Sequence, residues 1–588
     1  MTDAEAGVSA PPADVEAIFH CTFHATRGNI VDWSRKTRED IPLDGVEFSS
    51  LPSGLHVVDE DVIYFTKDDF HGICVFRRRR TKEAGMRGVR LGAVGLLIAP
   101  SDNPRPWLHL PTLKRLSDDL EAHPEDRESL ATYFESYKTR PDSPASVPWA
   151  GWQDELSRAT PEHPLLQLPY LLQILGPATL TLLKFVLARQ RVLIYTHPAV
   201  ELACQLARAA AEMCFGDIRD REESAKGVSV LGLVGLVDID KLKKESWKGD
   251  GWIACTTDAI FLEKGYLYDL VIDLSTSTTS RPFRPSFFIP RPVVKPNALP
   301  PASRAKSKTP LMMLQPVRFT FSDLRIWAEF DRILRADPSG LDPNPGTGSA
   351  PGAGVESSGL SSARWLETGR LYEDACMLYA GIWRSASWRW GAGGSGKIRL
   401  DGPDDDVASS TSATGMEDWV EVTLTKGQSQ FSRRRVSGGS NSRSVKSGAS
   451  GSSTLSCRAQ TTVALLETFH AHVAFLEWRL EEFAGQGSLR DADPSSAPSA
   501  PSPASTSAPT TTAPTETPTE TRKSKKQRPA SPLPPLILSA RDLIAFELGP
   551  LSELDAVFLE SYAEKKTKRK CIVKRGWKEI VGALFGIC

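Results

Sequence analysis

Few stretches of this 588-residue chain place reactive side chains at the spacings chemistry requires. GAGGSGK (391–397) satisfies G-x-G-x-x-G and the first part of a phosphate-binding loop. Such a loop needs a strand before the glycines, a helix after them, and a Ser or Thr beyond the lysine to reach magnesium. The run instead follows Trp388-Arg389-Trp390, and Ile398 follows the lysine, so it reads as an ordinary loop. No G-x-S-x-G elbow occurs in a strand–turn–helix context, so no serine is set up for acyl transfer. His470 and His472 lie two residues apart and would point to different sides of a helix, which prevents them from sharing a metal. They read as structural histidines. Residues 401–421 hold seven carboxylates and no base, but Asp404-Asp405-Asp406 sits among Ser and Thr with no scaffold to fix a geometry. The reading is a solvated loop able to pair with the basic insert after it. No catalytic, cofactor-binding or metal-ligating residue is expected. One modification motif stands out: RRRVS (433–437) presents Ser437 at the spacing basophilic kinases favour, and phosphorylation would add about −1.5 to −2 charge to a basic loop.

Charge is balanced overall, 71 basic against 72 acidic residues, so no global field favours nucleic acid, and none is expected as a partner. It is uneven locally. Residues 77–90 carry a net +6, residues 432–458 hold six basic residues and no acid, and residues 564–578 hold eight basic residues against one acid. The last stretch, beside Trp577, Ile580, Leu584 and Phe585, has the composition for peripheral contact with an anionic membrane. The alternative is a solvated face with a short strand, CIVK, docked on the core. RKSKKQR (522–528) is a weak import signal within a tail. Nine scattered cysteines with no C-x-x-C pair, and an acidic, apolar-poor start, lead us to expect reduced thiols in the cytoplasm.

The elements that must carry any function centre on residues 182–214. A helix beginning after Pro177 leads into RVLIYT (191–196), a β-rich run apolar on both faces, as expected of a strand in the middle of a sheet. Pro198 can open the next helix, whose apolar positions from Val200 to Cys214 are small and allow close approach to the sheet. Residues 229–239, 252–257 and 267–274 read as further strands, which makes a three-layer α/β core. Before it, 15–100 reads as a small sheet with a hairpin loop at Arg27-Gly28-Asn29, followed by helices at 107–121 and 127–138. Residues 165–183 lack charge, but Pro169, Pro177, Gln167 and Gln173 argue for a core segment rather than a membrane span. After it, a strand near Phe287 and a strand–helix unit at 317–334 with Ser322 as N-cap are expected. Helical faces follow, Trp365-Tyr372-Cys376-Tyr379-Trp383 and Leu466-Phe469-Val473-Leu476-Leu480-Phe483, then a helix opened by Ser539-Ala540-Arg541-Asp542. Residues 340–360, 426–458 and 485–532 lack the apolar content to order and are expected to be mobile.

These stretches also resemble the DENN-domain family, nearest the branch of DENN domain-containing protein 11 and its fungal relatives. The resemblance is carried by LLKFVLARQRVLIYTHPAVE, by WIACTTDAIFLEKGYLYDLVIDL, by RGNIVDWS, DGVEFSSLPSGLHVVDEDVIYF and FHGICVF, and by RGWKEIVGALFG near the end. It implies an α/β and α+β multidomain chain: a longin-like N-terminal lobe (15–140), a central three-layer α/β lobe (160–275), and a helical C-terminal lobe (310–588) with disordered inserts at about 337–360, 391–460 and 485–532. Two positions depart from the family pattern, Cys255 where glycine is common and Asp258 where asparagine is common.

The resemblance implies a guanine nucleotide exchange factor for a Rab-type small GTPase in membrane trafficking, working without cofactor and in the cytoplasm, peripherally on vesicle or endosomal membranes. The alternative is a non-catalytic adaptor that uses the same fold to hold a GTPase or another trafficking protein. The partner-binding candidate is Trp33, near the hairpin turn, because an exposed tryptophan anchors many interfaces; a tryptophan closing the sheet edge is the competing reading.

Overall fold

The computed structural model describes residues 11–82, 88–101, 103–140, 151–215, 228–275, 277–278, 281–282, 285–293, 312–337, 450–490 and 535–576. Five strands come first: β1 (Val15–His24), β2 (Gly28–Lys36), β3 (Glu60–Lys67), β4 (Phe70–Arg80) and β5 (Val89–Ile98). A short helix, α1 (Val46–Ser50), lies between β2 and β3, and α2 (Leu110–Ala122) and α3 (Glu128–Tyr137) follow the strands. The hairpin at Arg27 and the sheet-then-two-helices order are as the alternation predicts. The uncharged segment after α4 (Trp152–Ser157) breaks at Gly176-Pro177 into α5 (Leu168–Leu175) and α6 (Ala178–Leu187), both core helices. Among the described residues no helix is long and apolar enough to cross a membrane.

Next come β6 (Arg191–Tyr195), α7 (Glu201–Glu212), β7 (Ser229–Leu233), α8 (Ile239–Lys248), β8 (Trp252–Thr256) and β9 (Leu270–Asp273). The short hairpin β10 (Ser277–Thr278) and β11 (Arg281–Pro282) follows, then β12 (Ser286–Pro292), β13 (Met312–Val317) and α9 (Phe321–Ala336). The long helix α10 (Ser450–Arg490), β14 (Leu536–Ser539), α11 (Ala540–Ala545), α12 (Glu553–Thr567) and β15 (Cys571–Lys574) complete the described chain.

Eleven strands form one sheet in the order β13-β12-β9-β6-β8-β7-β3-β4-β5-β1-β2. Strands β9, β6, β8 and β7 are mutually parallel, and the neighbours on both sides are antiparallel. The period of two explains why β6 is apolar throughout: Val192 and Ile194 enter one core, and Leu193 and Tyr195 enter another on the opposite face. The first core runs without a break from β1 to β15, beneath α5, α6, α7, α9, α10 and α12. The opposite face is covered by α2 and α3 at the first five strands and by α8 at the parallel ones. The architecture is therefore mixed α/β, helices on both faces of a large sheet. Met1–Ser357 and Gly451–Cys588 make one compact unit, and Ser358–Ser450 is a second that falls outside the described residues except for Ser450.

Several expectations are corrected. Residues 229–239 are not one strand: Gly235 ends the run, its N–H held by Asp238 Oδ2 at 2.9 Å, and a helical turn (Leu236–Asp238) leads into α8. Pro198 does not open α7, which begins three residues later because Asp61 takes the first helix donors. The cap of α9 is Thr320, not Ser322, with Asp323 closing a capping box. Helix α10 extends into both stretches expected to be loose, since it starts at Ser450 and ends at Arg490. Helix α12 has no counterpart in the sequence reading. The expected helical face from Trp365 to Trp383 and residues 391–449 lie outside the described residues.

Candidate partner-binding groove at the sheet seam

Strands β3 and β7 meet at a single pair, Phe65 opposite Gly232. Gly232 has φ +66°, and an added β-carbon would overlap the Tyr64 carbonyl, so only glycine lets the two strands approach. Beside it, Thr66 Oγ1 donates to the Leu231 carbonyl at 3.2 Å, and Lys241 Nζ donates to Thr66 O and Oγ1 at 2.6 and 2.7 Å. The buried Asp61 completes the seam. Its Oδ2 accepts from Val200 N at 2.8 Å, and its Oδ1 from Glu201 N at 3.2 Å and Val62 N at 2.9 Å. A carboxylate of β3 thus caps α7 and meets the positive end of its dipole. Its partners are backbone N–H groups rather than a cation. Burial therefore wins over the N–H donors and pushes its pKa up to about 7, with the adjoining Glu201 carboxylate adding to the rise.

Beyond the seam a groove of about 470 Å³ opens at the carboxyl ends of β7 and β8. One wall comes from Phe48 and Leu51, on and after α1, and from Gly54, Leu55 and His56 in the turn before β3. The other wall is Leu233 to Val237, with Thr257 and Asp258. Phe76 and Leu91 line it as well. Asn29 Nδ2 donates to the Leu51 carbonyl at 2.9 Å and ties the first wall to β2. The rim exposes large apolar side chains: Phe48 is 45 % exposed, Leu236 46 % and Val237 57 %, and Val57, next in sequence to His56, is 62 % exposed. Apolar side chains left in water around a concave surface, with few polar groups, form a docking surface rather than a reaction centre. The carboxyl ends of parallel strands are also where open α/β sheets receive ligands. Of the two departures from the family pattern, Cys255 is absorbed by the core, its Sγ 3.4 Å from Cys204 Sγ, whereas Asp258 lines the groove.

The other joint of the molecule is closed. Lys184 on α6 is buried and donates to Asp323 Oδ1 on α9 at 2.7 Å and to Asp555 Oδ1 on α12 at 2.5 Å. Burial opposes the ammonium charge, but the two carboxylates outweigh it and raise the Lys184 pKa. Each aspartate has a second, backbone partner: Asp323 Oδ2 accepts from Thr320 N in the cap of α9, and Asp555 Oδ2 from Gly549 N in the loop before α12. The adjoining space is about 30 Å³, too small for a partner.

Trp33 lies on β2, the edge strand of the sheet, opposite His20, and packs half-buried against the core under α2 and α3. The groove is lined from the opposite core, so the structure does not bring Trp33 into it. The first basic stretch is largely paired: Arg77 with Glu60 and Asp118, Arg78 with Asp59, Arg79 with Glu121. His470 Nε2 donates to the Glu212 carbonyl at 2.9 Å, and burial holds His472 below its usual pKa, so both serve packing. Among the described residues no group of three His, Cys, Asp or Glu could hold a metal. Gly391 to Lys397, Asp401 to Glu421, Ser437 and the segment from Trp577 onward lie outside the described residues. Sequence reasoning missed Asp61 and the groove rim. An aspartate beginning an otherwise apolar strand, DVIYF, was the available signal for Asp61; the exposure of Leu236 and Val237 had none.

The family described as DENN domain-containing protein 11 matches residues 18–283, which span both walls of this groove. DENN domain-containing protein 11 of Rattus norvegicus is 31 % identical over 275 residues, 44 % of this chain and 57 % of its own length. The Xenopus laevis protein of the same name is 30 % identical over 274 residues, 45 % of this chain and 61 % of its own. A Saccharomyces cerevisiae protein described as uncharacterized protein ANR2 is 26 % identical over 302 residues, 45 % of this chain and 58 % of its own. The match thus spans somewhat more than half the length of these relatives. Over residues 18–283, this chain is thus similar to the DENN-domain family, as represented by DENN domain-containing protein 11 and its fungal relatives.

Proposed function

We propose that this chain is a guanine nucleotide exchange factor for a Rab-type small GTPase, and that the GTPase docks on the groove at the seam. The observation that carries the reading is that the family match covers both walls of an exposed apolar groove. An exchange factor needs no acid, base or nucleophile. It binds the nucleotide-free GTPase more tightly than the GDP-bound form, and that difference alone drives release. A surface of exposed Phe48, Val57, Leu236 and Val237 suits the task. Trp33, on the far face, is proposed as a secondary contact, and action in the cytoplasm on trafficking membranes follows the same reading. The adaptor reading is favoured by one residue: Asp258 puts a carboxylate on the groove where the family commonly has an amide.

The test is release of a fluorescent GDP analogue from a panel of purified Rab proteins, with the full chain and with Leu236→Asp/Val237→Asp shown to be folded by circular dichroism. Acceleration by the wild type on at least one Rab, reduced about tenfold or more in the double variant, is expected of two central apolar anchors. Trp33→Ala should reduce it less. Binding to nucleotide-free Rab without acceleration selects the adaptor. A wild type that neither binds nor exchanges overturns both.

A further inference from the structure

We propose that the outward face of the small β14–β15 sheet is a membrane-contact surface that seats on anionic lipid headgroups. The two strands pair in parallel, Leu536 with Cys571, Ile537 with Ile572, Leu538 with Val573 and Ser539 with Lys574. Their alternation sends Leu536, Leu538, Cys571 and Val573 into the core. It leaves Ile537 54 % exposed and Ile572 39 % exposed, side by side. Lys570 and Lys574 flank Ile572 at intervals of two and share its face; Lys568, two residues earlier, is exposed as well.

The basic stretch thus divides into two groups. Lys565 donates to the Arg189 and Gly249 carbonyls, Lys566 pairs with Glu477, and Arg569 and Arg575 donate to the Ala484 and Leu551 carbonyls. These hold α12 and β15 to the body. Lys568, Lys570 and Lys574 are exposed and make no ion pair among the described residues. Two isoleucines in a plane of unpaired ammonium groups match an anionic bilayer surface: the apolar pair enters the headgroup–acyl boundary while the lysines meet phosphate and carboxylate. The apolar area is too small for a stable protein interface, which needs about 20–30 residues a side. The lysines are flexible, well-hydrated point charges that suit a fluid array of anions better than one fixed geometry. This contact does not depend on the exchange reading.

Co-sedimentation of the full chain with phosphatidylcholine vesicles, with and without phosphatidylserine, tests it. The wild type should pellet with the phosphatidylserine vesicles, less so as salt rises, and not with the neutral ones. Lys570→Glu/Lys574→Glu should weaken that binding about tenfold or more. Ile537→Ser/Ile572→Ser should weaken it severalfold while leaving its salt dependence in place. GDP release in solution should be the same for all three proteins, which separates this surface from the groove. The proposal is overturned if the wild type ignores phosphatidylserine vesicles, if it binds neutral ones equally, or if the charge variant binds like wild type. It is equally overturned if the charge variant instead loses an acidic protein partner. Should the isoleucine variant fail to fold, the charge variant decides alone.

Discussion

The molecule is joined to itself at two places, and the joints are built by opposite means. At the C-terminal joint one buried ammonium is balanced by two carboxylates, each with a second hydrogen bond, and the space around them is closed. At the seam a buried carboxylate has only backbone N–H partners, the sheet is continuous through one pair at a glycine, and a groove opens beside it. The first arrangement resists change because its ammonium and both its carboxylates are held by hydrogen bonds on all sides described. The second buries a titratable group without a cation and leaves apolar side chains beside it at the surface that a partner must reach. Rigid support and an adjustable docking edge are thus separated within one unit.

The comparison is broken most severely at the closed joint. Lys184→Met would leave Asp323 and Asp555 buried without their cation, and loss of one member of such a set is expected to destabilise by about 3–5 kcal/mol. Urea denaturation would read it as a lower midpoint at unchanged slope. A stability within error of wild type would mean that the network is solvated in solution. Replacing all three residues by apolar ones should recover much of the loss.

At the seam, Gly232→Ala should be milder, about 1–3 kcal/mol for the left-handed backbone alone, with displacement of β7 from β3 added. Amide exchange should then rise first at Phe65 and Leu231. Uniform protection across β3 and β7 in the variant would remove the glycine from the argument.

The effect that is smallest for each pH unit separates the joints by pH. Asp61 has a folded pKa of about 7 against an ordinary value of 3.8, so folding takes up a proton between those values. Stability from this group is therefore full below about pH 4 and lost as pH rises through 7, by at most about 1.4 kcal/mol per pH unit. Burial raises the Glu201 carboxyl in the same sense. Denaturation at several values from pH 5 to 8 should show a shallower slope for Asp61→Asn than for wild type. Parallel slopes would show that the carboxylate is ionised throughout.

The parts of this design legible in the sequence are those with a local cause. RVLIYT announced a strand buried on both faces because every residue from Val192 to Tyr195 must be apolar to serve two cores. The Leu466–Phe483 face of α10 followed from its period, and Leu466, Phe469, Val473, Leu476 and Leu480 are buried. The box at Ser539 and Asp542 was readable from its spacing, and the same spacing recurs at Thr320–Asp323 and Ser552–Asp555. Reading the third instance would have revealed α12. What stayed hidden depends on distant partners. Asp323 and Asp555 look like helix caps, and only the fold brings Lys184 between them. Leu236 and Val237 look like the end of a strand until Gly235 and Asp238 turn the chain and leave them in water.

The reach of the Lys184 network has a consequence for biosynthesis. Lys184 and Asp555 are 371 residues apart in sequence, and Phe65 and Gly232 are also distant. Local hairpins such as β4–β5 can form as soon as they leave the ribosome, but a contact that long-range must wait for its second half to be translated. Until then Lys184 either keeps α6 loosely packed or is sequestered with Asp323 alone. A nascent chain of this protein should therefore remain a client of chaperones well after its sheet has been assembled, and the arrival of α12 should mark the step at which protease resistance of α6 and α9 first appears.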